Sequence, residues 1–285
     1  MRSILYIAFF TIVLNLSAAK AEDMELTADN RVEWHQKEQK IVAIGNAVAS
    51  RKDLRVRADQ MSADYKKTPP AGKTQITSVH AQGNVIMSSL RADAFGHTLD
   101  YDLAKDQMHL QGSPAKIKTE TETLTATDGI FYYPNAKKAI AIGNVHADNG
   151  KNQVYGDKMV AYFEPKSGSD SSLEMKRVEI YGHVKILNAE TTVWADKGIY
   201  NPKSGIVKLY DNITIEQNGN RLHGDYAQSD LNTGISKIMA GPSSNKRVTG
   251  VFKEKSKDKN KDENKAKTPA AKQTSSAPTA TTEQK

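Results

Sequence analysis

The sequence predicts an all-β fold of repeated antiparallel strands. The first observation behind this prediction is a recurring unit, clearest in residues 139–162: alternating alanine and isoleucine, a Gly-Asn-Val step, a polar break, then Gly-Asp and a tyrosine. The second is a period-two alternation of apolar and polar residues, which puts one set on a buried face and the other toward water. The third is a set of turn dipeptides such as Asn149-Gly150 and Asn218-Gly219, which are typical of tight hairpins.

The spacing of the units leaves two architectures open. Units begin near residues 45, 83, 112, 143, 182 and 211, at intervals of 29 to 39 residues. Stacked units of this size bury their apolar faces against one another. An open jelly-roll or sandwich and a right-handed β-solenoid both satisfy this pattern. We expect a single all-β domain over residues 22–252.

Residues 1–21 have the composition of a cleavable signal peptide. Arg2 precedes an uncharged apolar run from Ile4 to Leu16, and Ala19-Lys20-Ala21 provides small residues at the spacing of a signal-peptidase site. A membrane anchor is the alternative, but the run is shorter than the ~20 residues needed to span a bilayer. The chain contains no cysteine, which suits a bacterial periplasm better than a eukaryotic secretory route. We therefore expect cleavage near Ala21 and a periplasmic product.

Residues 253–285 form a tail rich in Lys, Thr, Ala and Pro, whose composition predicts disorder. This tail carries an excess of four positive charges and the signal peptide an excess of two, which leaves about +1 of the total +7 for the body of the chain. A nucleic-acid-binding protein normally concentrates its Lys and Arg on a folded face. The charge distribution therefore argues against nucleic acid as a partner.

The sequence lacks the motifs of the common catalytic and metal sites. Its seven histidines include no pair two, three or four residues apart, and neither GxSxG nor GxGxxG occurs. Gly72-Lys73-Thr74 resembles the end of a phosphate-binding loop, but Lys67 stands where that loop requires glycine. We expect no enzyme activity, no cofactor and no metal, and we expect His146 and His183 to be surface residues of strands.

One aspartate recurs in each unit, at positions 59, 93, 128, 157, 196 and 225. A calcium ladder or a catalytic carboxylate pair would use such residues. One Asp per unit is too sparse for a calcium solenoid, so we favour a structural role in which each carboxylate accepts backbone N–H groups at a strand entry. The recurring glycines are interpreted as bulge or bend positions.

These features resemble the OstA-like family of lipopolysaccharide transport proteins. The resemblance rests on Leu26-Thr27-Ala28-Asp29, on the Gly-Asn steps at 45, 83 and 143, on the Ala-Asp strand entries and on the exported all-β body with a Lys-rich tail. It implies an open, slightly twisted β-jelly-roll that stacks head to tail. Such a stack would bridge an inner-membrane exporter component and an outer-membrane insertion complex, which carry related domains. The bridge would carry lipopolysaccharide passively, with its acyl chains on the apolar inner face.

The resemblance also implies which side chains would contact the lipid A acyl chains. They are apolar residues that share the inward parity of their strands, and the same residues could equally pack against one another. The twelve predicted residues are Met24, Leu26, Val85, Met87, Leu110, Ile117, Ala141, Val145, Ile180, Val184, Leu209 and Ile213.

The chain departs from the family pattern at two of its steps and in its length. Gly112-Ser113-Pro114 lacks the Asn-Val pair, Asp211 replaces a glycine, and about two more units are present than in the shortest members. The size of a head-to-tail homo-oligomer therefore stays open. So do two other functions, an exported polysaccharide-active enzyme on a β-solenoid and an envelope scaffold.

Overall fold

The computed structural model describes residues 24–68, 73–166, 173–241 and 247–253. The predicted signal peptide and all but the first residue of the predicted tail lie outside these ranges. Within them every regular element is a β-strand, as predicted. No described segment is a helix with the length and hydropathy needed to cross a membrane.

All eighteen strands belong to one sheet. They are β1 (Glu25–Thr27), β2 (Arg31–His35), β3 (Lys40–Arg51), β4 (Leu54–Thr68), β5 (Lys73–Ser88), β6 (Ala92–Asp102), β7 (Gln107–Gln111), β8 (Ala115–Thr119), β9 (Thr123–Ala126), β10 (Gly129–Tyr133), β11 (Lys138–Asp148), β12 (Gln153–Pro165), β13 (Leu173–Leu187), β14 (Thr191–Asn201), β15 (Ile206–Gln217), β16 (Asn220–Asp230), β17 (Ile235–Met239) and β18 (Thr249–Val251).

The strands form an antiparallel meander in chain order. Long strands pair with their sequence neighbours, for example β3 with β4 and β4 with β5. At four places two short strands together replace one long strand: β1 and β2 both pair with β3, β7 and β8 with β6, β9 and β10 with β11, and β17 and β18 with β16. A right-handed β-solenoid stacks its strands in parallel, so the β-solenoid alternative is wrong and the antiparallel jelly-roll prediction is confirmed.

Five of the long strands, β3, β5, β11, β13 and β15, are interrupted near their middle, at a Gly-Asn step or its equivalent. At Gly83-Asn84 both residues have positive φ, +77° and +45°, and the pairing register shifts between Gln82 and Val85. The same interruption occurs at residues 45, 143, 182 and 211, so the predicted bulges are confirmed. We call this line of bulges the corner.

The corner divides the sheet into two halves. Half-sheet A contains β2, β7, β10, β17 and the adjoining halves of the long strands, and half-sheet B contains β1, β8, β9, β18 and the other halves. Their inward side chains belong to one continuous hydrophobic cluster. Because a bulge adds an unpaired residue, it lets one strand serve both halves.

Cross-strand registers align the inward residues into rungs that run through the whole sheet. The inner rung of half-sheet A consists of Val32, Ala43, Met61, Ala81, Leu99, Leu110, Ile130, Ala141, Met159, Ile180, Gly198, Leu209, Ala227 and Ile238. The rung of half-sheet B consists of Leu26, Ala49, Val56, Met87, Ala94, Ile117, Leu124, Ala147, Val154, Ile186, Val193, Ile215, Leu222 and Gly250. Every member of both rungs is apolar.

The two halves of the chain repeat each other at an interval of 98 residues. Met61 and Met159 both lie on the inner rung of half-sheet A, each opposite an alanine on the preceding strand. Farther along these strands, the N–H of Tyr65 donates to the carbonyl oxygen of Gln39 at 2.8 Å. The N–H of Phe163, 98 residues later, donates to the carbonyl oxygen of Lys137 at 2.9 Å. The first twelve strand positions, with β1/β2, β7/β8 and β9/β10 counted as one position each, are therefore two copies of a six-position unit, and β16 and β17/β18 follow them in the same sheet.

Candidate functional site: the apolar interior

Ten of the twelve predicted acyl-contacting residues lie in the buried cluster between the half-sheets. Val145 and Val184 are among the most buried, at 0% and 1% exposed. Leu26 is partly buried and packs against the cluster. Met24 is 41% exposed, because it lies at the start of the described chain, one residue before β1. The ten buried residues are Val85, Met87, Leu110, Ile117, Ala141, Val145, Ile180, Val184, Leu209 and Ile213.

The residues closest to the corner alternate between branched and small side chains. Val145 is paired with Gly156, Val184 with Ala195, and Ile213 with Gly224. A Cβ built on Gly156 would lie 2.6 Å from Cγ1 of Ile180, a residue of the other half-sheet. The small residues thus let side chains of half-sheet A pack directly on the backbone of half-sheet B.

A cavity of about 50 Å³ lies between the half-sheets in the middle of the chain. We call it the methionine cavity, because four of its lining residues are Met87, Met108, Met159 and Met175. Predicted residues Leu110, Ile117 and Ala141 also line it. The remaining lining residues are Ala94, Leu124, Ile130, Tyr132, Ala139, Ala161, Phe163 and Val178.

Three of the four methionines were not among the predicted residues. Met108 and Met159 have the inward parity of their strands, so alternation alone could have found them. Met175 lies beyond a register shift between Tyr162 and Phe163, which hides its parity in the sequence. The prediction favoured residues aligned on the Gly-Asn steps; Met108 and Met175 are farther from the corner, whereas Met159 lies on the inner rung with the predicted Ala141 and was missed.

The cavity is small relative to a lipid. Preformed small-molecule sites usually enclose roughly 300–1,000 Å³, so a hydrocarbon chain can enter this interior only if side chains move. An apolar void of about 50 Å³ costs about 1 kcal/mol of folding free energy. This cost is present in the folded protein at the place where the four flexible methionine side chains meet.

Three tyrosines lie on a second inward rung of half-sheet A, farther from the corner. Tyr101 and Tyr132 both pair with Met108, and Tyr200 pairs with Val178. Burial raises the pKa of Tyr132 to about 12 and also raises the pKa of Tyr101 and Tyr200. These phenols stay neutral near pH 7, so they place apolar rings toward the interior without adding charge.

The turn between β8 and β9 brings a carboxyl group toward the same rung. Burial raises the pKa of Glu122 to about 7, and the charge of Glu122 in turn contributes to the raised pKa of Tyr200. Glu122 belongs to the far end of half-sheet B and Tyr200 to the far end of half-sheet A.

The recurring aspartates are structural, but their partners differ from those predicted. Asn84 donates its side-chain amide to Asp59 at 2.9 Å, and Asn212 donates to Asp196 at 2.7 Å. Asp59, Asp157 and Asp196 thus contact a side chain from the bulge of the next strand, whereas backbone N–H donors were expected. Asp225, which accepts the N–H of Gly241 at 3.1 Å, follows the expected pattern.

Asp93 does not occupy the position predicted for it. It pairs with Ser88, three residues before Gly96, and Gly96 is the residue that pairs with Val85 at the corner. His97 therefore stands where the other units have aspartate. Ala92-Asp93 has the same residue types as the Ala-Asp pairs of the other units, whereas the corner position of this unit holds Gly96-His97, so the sequence pattern indicated the wrong residue.

The two histidines near the corner have different environments. His183 is exposed, as predicted, and its Nδ1 lies 2.9 Å from Asp157. His146 is half-buried, stacks on Tyr155 with ring centroids 4.3 Å apart, and has a buried Nε2 with no hydrogen-bond partner. Among the described residues, no three His, Asp or Glu side chains are grouped closely enough to hold a metal ion.

The fold and its two-copy organisation agree with comparisons to known proteins. Residues 25–137 and 128–235 each match the family described as LptA/(LptD N-terminal domain) LPS transport protein. No curated protein matches the chain. A crystal structure of LptH, the LptA homologous periplasmic component of the conserved lipopolysaccharide transport device from Pseudomonas aeruginosa, matches with 16% identity and a TM-score of 0.40, over 47% of this chain and 95% of that one. Because the two family matches together extend over most of its length, the chain belongs to the LptA/(LptD N-terminal domain) family of LPS transport proteins.

Proposed function

We propose that the protein is a periplasmic carrier of lipopolysaccharide that shields the acyl chains between its half-sheets and bridges inner- and outer-membrane assembly complexes. The observation that carries this proposal is the continuity of the apolar rungs. They cross every strand from β1 and β2 to β17 and β18 without a polar residue, so a hydrocarbon chain would meet an apolar surface along the whole sheet.

The energetics of acyl burial support this function. Each buried methylene contributes roughly 0.8 kcal/mol, so a long saturated chain would offset the cost of rearranging several side chains. Outward residues such as Lys185 and Glu216 alternate with the inward ones on the same strands. Sugars and phosphates would therefore stay in water while the chains are covered.

The two sheet edges support a bridging role. Val32 and Trp34 on β2 are 49% and 60% exposed, although Val32 belongs to the inner rung of half-sheet A. At the other edge, Val251 of β18 is 62% exposed, and Phe252, which follows it, is 71% exposed. An exposed apolar edge strand is a template for pairing with a further strand. We propose that these edges pair with further copies of the chain or with related domains of the membrane complexes.

The domain limits and the location belong to the same proposal. We propose that residues 1–21 direct export and are removed near Ala21, that residues 22–252 form the carrier, and that residues 253–285 are a disordered extension. A periplasmic location follows from the signal peptide and from the chemistry of the cargo.

Site-specific photocrosslinking tests the carrier function. A photoreactive residue would replace Leu110 or Ile117 on the inward face, or Lys185 or Glu216 on the outward face, in cells that make lipopolysaccharide. We expect labelling of lipopolysaccharide from the two inward positions and none from the outward ones. Equal labelling from both faces, or none from either, would contradict a shielded path.

A further inference from the structure

We propose that the hydrocarbon chain enters at the methionine cavity, and that this central section opens by side-chain rotation while the section from β14 to β16 stays closed. This inference rests on the proposed carrier function, because it specifies where along the interior the same acyl chain binds. It divides the interior into one expandable and one rigid part.

The first reason is the chemistry of the side chains. The cavity is lined by Met87, Met108, Met159 and Met175, and methionine has three rotatable bonds and adapts readily to a new neighbour. In the section from β14 to β16, by contrast, the buried residues include Ile213 and Val207, at 1% and 4% exposed. Such β-branched side chains are nearly fixed at χ1 and cannot make way for a guest.

The second reason is the distribution of space. Ala139 and Ala161 face each other across β11 and β12, and Ala141 faces Met159. All of them line the cavity. Alanine leaves room beside a flexible neighbour, so rotation of Met159 would enlarge the void in the direction of Ala161.

The third reason is access from solvent. Ala139 and Ala161 lie on the second rung of half-sheet A and are only partly buried. On the same rung in the later section, Val207 is 4% exposed and Tyr200 is partly buried. Ala139 and Ala161 are therefore small, partly exposed lining residues past which a chain can reach the cavity.

The first experiment measures binding of dansyl-undecanoic acid by fluorescence titration. Ala161→Leu fills the cavity, and we expect it to weaken binding about tenfold, the effect of losing roughly two buried methylene groups. Ala63→Leu is the matched control, since Ala63 lies 98 residues earlier at the equivalent position of β4 and does not line the cavity. Equal affinities of the two variants would overturn the proposal.

A second variant tests the same proposal without adding volume to the core, so that misfolding of Ala161→Leu would not decide the result. Met159→Leu combined with Met175→Leu keeps the apolar volume but removes flexibility, and such exchanges are usually well tolerated. We expect an unchanged thermal midpoint and weaker binding of the dansyl probe. Unchanged affinity together with unchanged stability would show that methionine rotation is not required.

The second experiment locates the chain directly in the unsubstituted protein. A tetradecanoyl chain with a diazirine at its terminal carbon is photolysed in the complex, and the labelled peptides are identified by mass spectrometry. We expect labels in β7, β10, β11 and β12, and few in β15 and β16. Labels spread evenly along the interior would overturn the entry site while leaving the carrier function intact, whereas a complete lack of interior labels would contradict both.

Discussion

Asn84 on β5 donates its side-chain amide to Asp59 on β4 at 2.9 Å, and this contact joins two strands at the corner. Gly83 and Asn84 both have positive φ, a conformation that an unpaired strand residue rarely adopts without support. Asn46 on β3 forms the same contact with Asp29, which lies between β1 and β2, at 2.8 Å. The carboxylates thus hold the bulges that allow each strand to serve both half-sheets.

Asp59→Ala should destabilise the protein by about 1 kcal/mol, the usual net value of a hydrogen bond. The contact is exposed, so a larger loss is not expected. Urea unfolding followed by circular dichroism measures the change. Asp93→Ala is the control, because Asp93 lies three residues away from the corner position, and we expect an effect within about 0.5 kcal/mol. Equal losses for the two variants would contradict the corner assignment.

Gly156→Ala should destabilise the protein by roughly 1–3 kcal/mol through overpacking. The new Cβ would lie 2.6 Å from Cγ1 and 2.8 Å from Cδ1 of Ile180, and both atoms are buried between the half-sheets. Ile180→Ala removes both atoms, so the double variant should lose less stability than the sum of the single variants. Denaturant unfolding of all four proteins tests this, and strict additivity would exclude the predicted contact.

Alternation in the sequence was sufficient to predict the inward faces of the long strands. Val145, Val184 and Ile213 could be aligned because each follows a bulge whose residues are easily recognised. A register shifted by one residue would have turned every inward apolar side chain of these strands toward water, so the apolar pattern strongly specifies the register.

The methionine cavity could not be predicted from the sequence. A void forms where inward side chains from distant parts of the sequence, such as Met87 and Met175, fail to fill the space between the half-sheets. No local sequence pattern records how such distant residues pack. Asp93 was misplaced because Ala92-Asp93 has the same residue types as the Ala-Asp pairs at the corner, while the strand register puts Gly96-His97 there. Met24 lies next to an edge strand, where no following strand covers it.

Stability should fall as the pH rises through about 7, because Glu122 then ionises in a partly buried turn. Its folded pKa is raised to about 7 by burial, whereas an unfolded Glu titrates near 4.3. The folded state therefore binds the extra proton between these values, and the resulting stabilisation is complete at low pH and lost above pH 7. Because the side chain is only partly buried, we expect solvent screening to reduce the effect to about 1 kcal/mol.

Glu122→Gln should remove this part of the pH dependence and raise the thermal midpoint at pH 8. Glu120→Gln is the matched control, since Glu120 is exposed in the same turn. Thermal unfolding at pH 5, 6, 7 and 8 compares the three proteins. If the Glu122 variant keeps the slope of the unsubstituted protein, burial of this carboxyl group is not its source.

End-to-end association should depend on the apolar edge at β2. In the described part of the chain, the sheet has fourteen strand positions when each pair of short strands is counted as one. Because this number is even, the first strands of a second copy would run antiparallel to the last strands of the first copy. The rungs could therefore extend across the junction. Val32→Asp would bury a charge in that junction and should abolish association, because an unpaired buried charge is strongly unfavourable. Ser62→Asp adds the same charge on the outward face of β4, within the sheet, and should leave association unchanged.

Sedimentation velocity over a range of concentrations measures this association. If the unsubstituted protein stays monomeric at every concentration, the edge-pairing proposal is wrong. If both variants assemble equally, the contact lies elsewhere on the protein.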